Sequence, residues 1–200
     1  MAGEAERIRD LYERHARAWD KDRSRSLFEK AWLDKFLSLI APDPRVLDIG
    51  CGSGEPIGEY LIQQGCKITG VDSAPSLIDL CRERFPEQNW MVGDMRELLL
   101  DDHFDGILAW DSFFHLTPED QQNMFSVFSR HAGPSTVLMF TSGPTRGQVI
   151  GDYRGEPLYH ASMDESEFRS LLNDINFDVV EHVVEDPNCT NHTIWLAQRR

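Results

Sequence analysis

The stretch Val46-Leu47-Asp48-Ile49-Gly50-Cys51-Gly52-Ser53-Gly54 constrains the fold more than any other part of the chain. A short apolar run, Arg45–Ile49, leads into three glycines that alternate with other residues, and a helical pattern over Ile57–Ile62 follows. Glycine accepts backbone angles that other residues resist and lets a ligand approach the main chain closely. A strand that turns through such a loop into a helix lies, in an open α/β sheet, at the carboxyl edge where ligands bind. A tight turn without a ligand is the simpler reading of a glycine triplet taken alone.

The alternation continues downstream. Lys67–Val71 reads as a strand and Ser76–Phe85 as a helix with Pro75 in its first turn. Asn89–Val92, Phe104–Trp110 and Ser135–Phe140 read as further strands. Thr117-Pro118-Glu119-Asp120 is a helix start, with a Thr cap, Pro in the first position and acids at the positive end of the dipole. Ser162-Met163-Asp164-Glu165 fits a capping box that opens a last helix to Asn173. The β-rich runs Phe177–Val184 and Thr190–Ala197 are joined by Glu185-Asp186-Pro187-Asn188, too short for a crossover helix, so they form an antiparallel hairpin. Alternating β/α units followed by a hairpin give a doubly wound α/β sandwich.

Upstream of the glycines, Ile8, Leu11, Tyr12, His15 and Trp19 recur at helical spacing, as do Leu27, Phe28, Ala31, Trp32, Phe36, Leu37 and Ile40. Ala41-Pro42-Asp43-Pro44 ends the second helix. At 200 residues the chain has the length of one domain. We divide it into an N-terminal helical cap (1–41), a core (45–141), a long connection read as a lid (142–163), and a last helix with the hairpin (164–200).

With 34 acidic and 20 basic residues the formal charge is −14, a surface that repels phosphate backbones. No apolar run approaches the roughly 18 residues a membrane span needs. Glu4, Glu6, Arg7, Arg9 and Asp10 stand where a signal peptide would be apolar, which points to the cytoplasm. Cys51, Cys66, Cys81 and Cys189 form no CxxC, and His131, His182 and His192 fit no metal spacing.

Three acids fall at strand ends. Asp72 follows the glycine loop by about 20 residues, where a carboxylate accepts from a ribose diol, although it or Ser73 also suits the cap of the next helix. Asp94 suits an adenine amino group and Met95 the ring, the alternative being a solvated loop acid. A dinucleotide fingerprint would put its third glycine at position 55, which is Glu55, an acid that would face a pyrophosphate.

Together these motifs resemble the class I S-adenosylmethionine-dependent methyltransferases. The likeness rests on Val46–Gly54 as the segment with the D-x-G-x-G-x-G loop, Asp72 as the ribose acid, Gly93-Asp94-Met95 as the adenine segment and the Phe104-Asp105 pair opening the fourth strand. It runs from Arg45 to Arg200. The resemblance implies a Rossmann-like methyltransferase fold: a doubly wound, seven-stranded, mostly parallel sheet with an antiparallel C-terminal hairpin, only the last strand running antiparallel. It also implies S-adenosyl-L-methionine as cofactor. Asp48 and Gly50 would lie near its methionine part, with Cys51, Gly52, Asp72, Ser73, Asp94, Met95, Trp110, Tyr12 and Trp19 completing the site.

In such enzymes the segment after the fourth strand, here Trp110-Asp111-Ser112-Phe113-Phe114-His115, faces the methyl group. Asp111 and His115 are the candidate catalytic residues, the alternative for His115 being a structural hydrogen bond near the Thr117 cap. Arg23 and Phe114, with Arg154, Tyr159 and His160 from the long connection, are the candidate acceptor contacts. Tyr159 and His160 suit a loop anchor equally. The chain has neither the N/D-P-P-Y/F tetrapeptide nor the Pro-Cys pair of base-modifying relatives. The expected activity is methyl transfer to an oxygen or nitrogen of a small molecule, without nucleic-acid or membrane partners. A non-catalytic cofactor-binding regulatory or assembly protein on the same fold is the alternative.

Overall fold

The computed structural model describes residues 2–200. The chain opens with α1 (Ala2–Ala5), α2 (Ile8–Asp22) and α3 (Lys30–Ser38), ahead of β1 (Arg45–Ile49). Next come α4 (Ile57–Gln63), β2 (Lys67–Asp72), α5 (Pro75–Arg84), β3 (Asn89–Val92) and β4 (Phe104–Ala109). The remainder is α6 (Pro118–His131), β5 (Ala132–Ser142), β6 (Gly147–Tyr153), β7 (Glu156–Ser162), α7 (Glu165–Asp174), β8 (Phe177–Asp186) and β9 (His192–Arg199).

Seven strands form one sheet in the order β3-β2-β1-β4-β5-β9-β8. β1 to β5 pair in parallel, and β9 runs antiparallel to both β5 and β8, so a single strand opposes the rest. Strand order reverses between β1 and β4, which makes their carboxyl ends the switch point of the sheet. β1 and β4 are apolar and buried along almost their whole length, as strands covered on both faces must be.

Each face has its own core. Phe113, Phe125, Phe128, Phe140, Phe168 and Trp195 interlock on one side. Trp32, Leu33, Phe36, Leu61, Ile78 and Trp90 pack on the other. Gly106 in β4 has no side chain because the Phe36 ring occupies that space, which seats α3 directly on the sheet. The Thr117 hydroxyl accepts from the Asp120 N–H at 3.2 Å, the expected cap of α6.

Two local expectations are corrected. The last helix is capped by Asp164, whose N–H donates to the Glu167 carboxylate at 2.8 Å, whereas Ser162 ends β7. The connection 142–163 is not an irregular loop: β6 and β7 form a separate two-stranded hairpin. Its turn is Arg154-Gly155, both left-handed at φ +55° and +84°, and two such residues join strands tightly. Among the described residues, no helix is long and apolar enough to cross a membrane.

Candidate functional site

The site lies at the switch point. After β1 the chain turns through Gly50 (φ +79°) and Gly52 (φ +56°), and the Gly50 N–H donates to the Val71 carbonyl at 2.7 Å. A Cβ on Gly50 would overlap the Ser112 side chain, and one on Gly52 would stand 2.5 Å from the Trp19 ring. Both glycines are therefore required by close approach, not by the turn alone. The Asp72 carboxylate accepts from the Gly52 N–H at 3.0 Å and the Ala74 N–H at 2.9 Å. It ties the glycine loop to the start of α5 and still lines the cavity beside them.

α2 lies over this loop and is fastened on two sides. The Glu13 carboxylate accepts from the Ser76 N–H at 2.9 Å and its hydroxyl at 2.6 Å, supplying the first turn of α5 with a partner. Asp20 pairs with Arg84 at 2.7 Å. Toward the β6–β7 hairpin, Arg14 and His15 both pair with Glu156, and Asp22 pairs with Arg154.

Beneath α2 runs a cavity of about 340 Å³, from Asp94, Met95 and Arg96 past Asp72 and Ser73 to Gly50, Asp111 and His115. A second, of about 260 Å³, is bounded by Arg23, Phe114, His160 and His192. Tyr12, Trp19, Asp111 and His115 line both. A third of about 40 Å³ touches Asp48, Cys51, Arg23, Trp110 and Asp111.

The polar groups have distinct charge states. Asp48 is 4% exposed, and burial, with the nearby Asp72 charge, pushes its carboxyl up to about 7. Burial also raises Asp72, against the hydrogen bonds it accepts. At the far end the Arg96 side chain bonds Asp94 and holds its carboxyl below the ordinary range.

His115 is buried, which pulls its ring down to about 4. Its Nδ1 faces the Tyr159 carbonyl at 2.8 Å, so that nitrogen carries the proton. Nε2 is then the acceptor for the Tyr12 hydroxyl at 2.9 Å. Enclosure and the charges of Asp111 and Asp72 raise Tyr12, keeping it a phenol.

Asp111 has a left-handed backbone (φ +50°) with its N–H donating to Thr141 Oγ1 at 2.9 Å. Its carboxylate meets His192 Nε2 at 2.9 and 3.1 Å. The His192 ring stacks on Trp110 with centroids 5.6 Å apart.

Most of the expected residues converge on these three cavities. Gly50, Gly52, Asp72, Ser73, Asp94, Met95, Tyr12, Trp19, Asp111 and His115 line the largest. Arg23, Phe114 and His160 border the second, and Asp48, Cys51 and Trp110 the third. Two do not converge. Arg154 is exposed at the hairpin turn and paired with Asp22. Tyr159 is fully buried, and only its carbonyl reaches the site, through His115.

His192 and Ser112 escaped the sequence reading. In the sequence neither metal spacing nor its neighbours mark His192, and only the antiparallel pairing of β9 with β5 brings its start to the end of β4. Ser112 Oγ donates to the Ile49 carbonyl at 2.6 Å, a tie that only the β1–β4 pairing creates.

A methyltransferase-domain family model matches residues 46–135. Magnesium-protoporphyrin O-methyltransferase of Rhodobacter capsulatus is 30% identical over 105 residues, which is 50% of this chain and 45% of that protein, so the chain covers less than half of that relative. Among solved structures, magnesium protoporphyrin IX methyltransferase of Synechocystis with bound S-adenosylmethionine superposes with TM-score 0.73 at 19% identity, covering 98% of this chain and 97% of that one. An S-adenosylmethionine-dependent methyltransferase of Clostridium acetobutylicum gives TM-score 0.73 at 16% identity, covering 94% and 99%. The match to a methyltransferase domain thus spans the β1–β4 switch point, and the whole sheet shares the fold of these S-adenosylmethionine-dependent methyltransferase structures.

Proposed function

We propose that this chain transfers the methyl group of S-adenosylmethionine to an oxygen or nitrogen of a small molecule. The observation that carries the reading is the common wall: Tyr12, Trp19, Asp111 and His115 face both the larger cavity and the second chamber. A methyl donor on one side and an acceptor on the other would meet there. A protein that only bound the cofactor would have no use for the second chamber.

The residues of the larger cavity suit this cofactor. Its volume of about 340 Å³ falls in the range of small-molecule sites. The space that side chains at Gly50 and Gly52 would close lets a ligand lie against the backbone. Asp72 is the acceptor for the ribose hydroxyls, Asp94 and Met95 flank the adenine, and Asp48, on the small third cavity that shares Gly50 and Asp111 with the larger one, answers the amino group of the methionine part. A carboxyl raised to about 7 by burial gains from such a cation. S-adenosylmethionine supplies a methyl group on a sulfonium, with its leaving group built in. The protein's task is then alignment and exclusion of water, which α2 serves by lying across the loop through Trp19 and Tyr12.

The second chamber, about 260 Å³ and walled by Tyr12, Trp19, Phe114 and His160, suits a compact ring system. A tetrapyrrole such as the porphyrin in the relatives' names exceeds it. On this reading the 200 residues act as one methyltransferase domain, with α2 and the β6–β7 hairpin covering the acceptor side.

The test is incubation with methyl-labelled S-adenosylmethionine and a panel of small aromatic alcohols and amines. Labelled product together with S-adenosylhomocysteine is expected, and Phe114→Ala should change which acceptors react. Tight cofactor binding with no S-adenosylhomocysteine formed from any acceptor would favour the non-catalytic reading.

A further inference from the structure

We propose that His192 is a positioning residue that holds the Asp111 carboxylate at the point of methyl transfer, and that Asp111 takes the proton of an acceptor that enters still carrying it. This deepens, and rests on, the methyltransferase reading above. The acceptor class it names is an amine or hydroxyl methylated at its proton-bearing atom, not a group that is already an anion in solution.

The placement of Asp111 comes first. It lines all three cavities. Its left-handed backbone, φ +50° on a non-glycine residue, is a conformation that persists only where the surroundings enforce it. The enforcing contacts are the Asp111 N–H to Thr141 Oγ1 at 2.9 Å and the carboxylate to His192.

The protonation of His192 follows from its partners. Nε2 faces the Asp111 carboxylate at 2.9 and 3.1 Å. Nδ1 faces the Cys189 carbonyl at 2.8 Å. A carboxylate and a carbonyl only accept, so both ring nitrogens must donate and the ring is an imidazolium. The Thr190 hydroxyl, 2.9 Å from Nδ1, can adapt to either state. Burial works against this charge, and the hydrogen bond and charge of Asp111 overcome it, so the ring titrates above its ordinary value.

The remaining groups around the pair leave Asp111 the acceptor of choice. From the other elements, Tyr12, His115 and His160 face Asp111, and Glu29, Arg23 and Cys189 face the His192 side. Arg23 is occupied by the buried Glu29. His115 has its one free lone pair filled by the Tyr12 hydroxyl. Burial keeps His160 below its ordinary value. In the transfer, the acceptor lone pair forms the bond to the methyl carbon, the carbon–sulfur bond breaks with its electrons left on sulfur, and the acceptor's proton passes to an Asp111 oxygen. Leaving as a neutral thioether, the sulfur needs no proton.

The test needs no acceptor. Sinefungin carries an amine on carbon where the cofactor carries its sulfonium methyl, so its ammonium reports the group facing the methyl position. We expect wild type to bind sinefungin at least about tenfold more tightly than S-adenosylhomocysteine, a difference of about 1.4 kcal/mol. Asp111→Asn should abolish that preference while leaving S-adenosylhomocysteine affinity within about threefold. His192→Leu should do the same, and His192→Gln, which keeps a donor toward Asp111, should restore much of it. A merely structural His192 would lower thermal stability and leave the ratio unmoved. An unchanged ratio in either Asp111→Asn or His192→Leu, or equal loss of both ligands in Asp111→Asn, overturns the proposal. Failure of wild type to bind S-adenosylhomocysteine at all would instead overturn the cofactor reading beneath it.

Discussion

The Tyr12 hydroxyl donates to His115 Nε2 across 2.9 Å, joining the N-terminal helix to the turn that follows β4. The bond depends on a third residue. Because the Tyr159 carbonyl takes the Nδ1 proton, Nε2 is left as an acceptor, and only a donor such as the phenol of Tyr12 satisfies it. Sequence positions more than a hundred apart thus share one part-buried polar contact.

Tyr12→Phe should expose that dependence. It leaves a buried imidazole nitrogen unpaired, which costs about 1–3 kcal/mol. Each kcal/mol lowers the midpoint of a domain this size by roughly 2–4 °C. Thermal unfolding of the ligand-free protein checks it, and a midpoint equal to wild type would mean that the bond is not made.

His115 also sets an acid limit. Its folded value, about 4, lies below the unfolded imidazole value of about 6.5. The folded state therefore refuses a proton that the unfolded chain accepts. Stability should fall as pH drops from about 6.5 toward 4, by roughly 3 kcal/mol in all. Denaturant titrations across that window should show the slope in wild type and a flatter one in His115→Gln. His192 works in the opposite window: its raised value adds stability that is complete below the unfolded value and is lost as pH rises through the folded one. His192→Gln should therefore lose more stability near pH 6 than near pH 9, values that bracket an imidazole raised above about 6.5.

The contact of Trp19 with Gly52 lends itself to a double-mutant cycle. Gly52→Ala puts a methyl 2.5 Å from the indole and on a backbone at φ +56°. We expect a loss of about 2–4 kcal/mol from overpacking and strain together. Trp19→Ala in the same chain should recover the clash but not the strain, giving a coupling of about 1–2 kcal/mol. Strict additivity would show that α2 does not rest on the loop.

With the cofactor's amino group beside it as proposed, Asp48 should make cofactor affinity depend on pH. Its carboxyl is pushed up to about 7, and a ligand ammonium beside it favours the ionised form. Binding of S-adenosylhomocysteine should then release a proton and tighten as pH rises from about 6 to 8, with a slope approaching tenfold per unit below 7. Calorimetry in buffers of different ionisation enthalpy measures the release directly. In Asp48→Asn the pH dependence should vanish.

The central sheet was legible because its signals are local. The glycines at 50, 52 and 54, Asp72 after β2 and the Thr117-Pro118 helix start each declare themselves within a few residues. The switch-point edge, and the convergence of Gly50, Asp72, Asp94 and Asp111 upon it, follow from the order of strands and loops. What the sequence hid depends on pairing at a distance. The β6–β7 hairpin was masked because 142–163 reads as one long connection, although Arg154-Gly155 is a two-residue turn signal. Tyr159 suits an acceptor contact and an anchor equally in the sequence, and the period-two alternation of β7 turns it into the core with His160 toward the second chamber. His192 gained its meaning only from the antiparallel return of β9 beside β5.

The measurement that bears most directly on the whole account is thermal unfolding in the presence of S-adenosylmethionine, S-adenosylhomocysteine and NAD, each in turn. A ligand at about one hundred times its dissociation constant adds about 2.7 kcal/mol. For this domain that corresponds to roughly 5–10 °C. The account predicts a shift of that size with both adenosyl ligands, none with NAD, and loss of the shift in Asp72→Ala. A chain stabilised by neither adenosyl ligand, or by NAD as strongly, would contradict it.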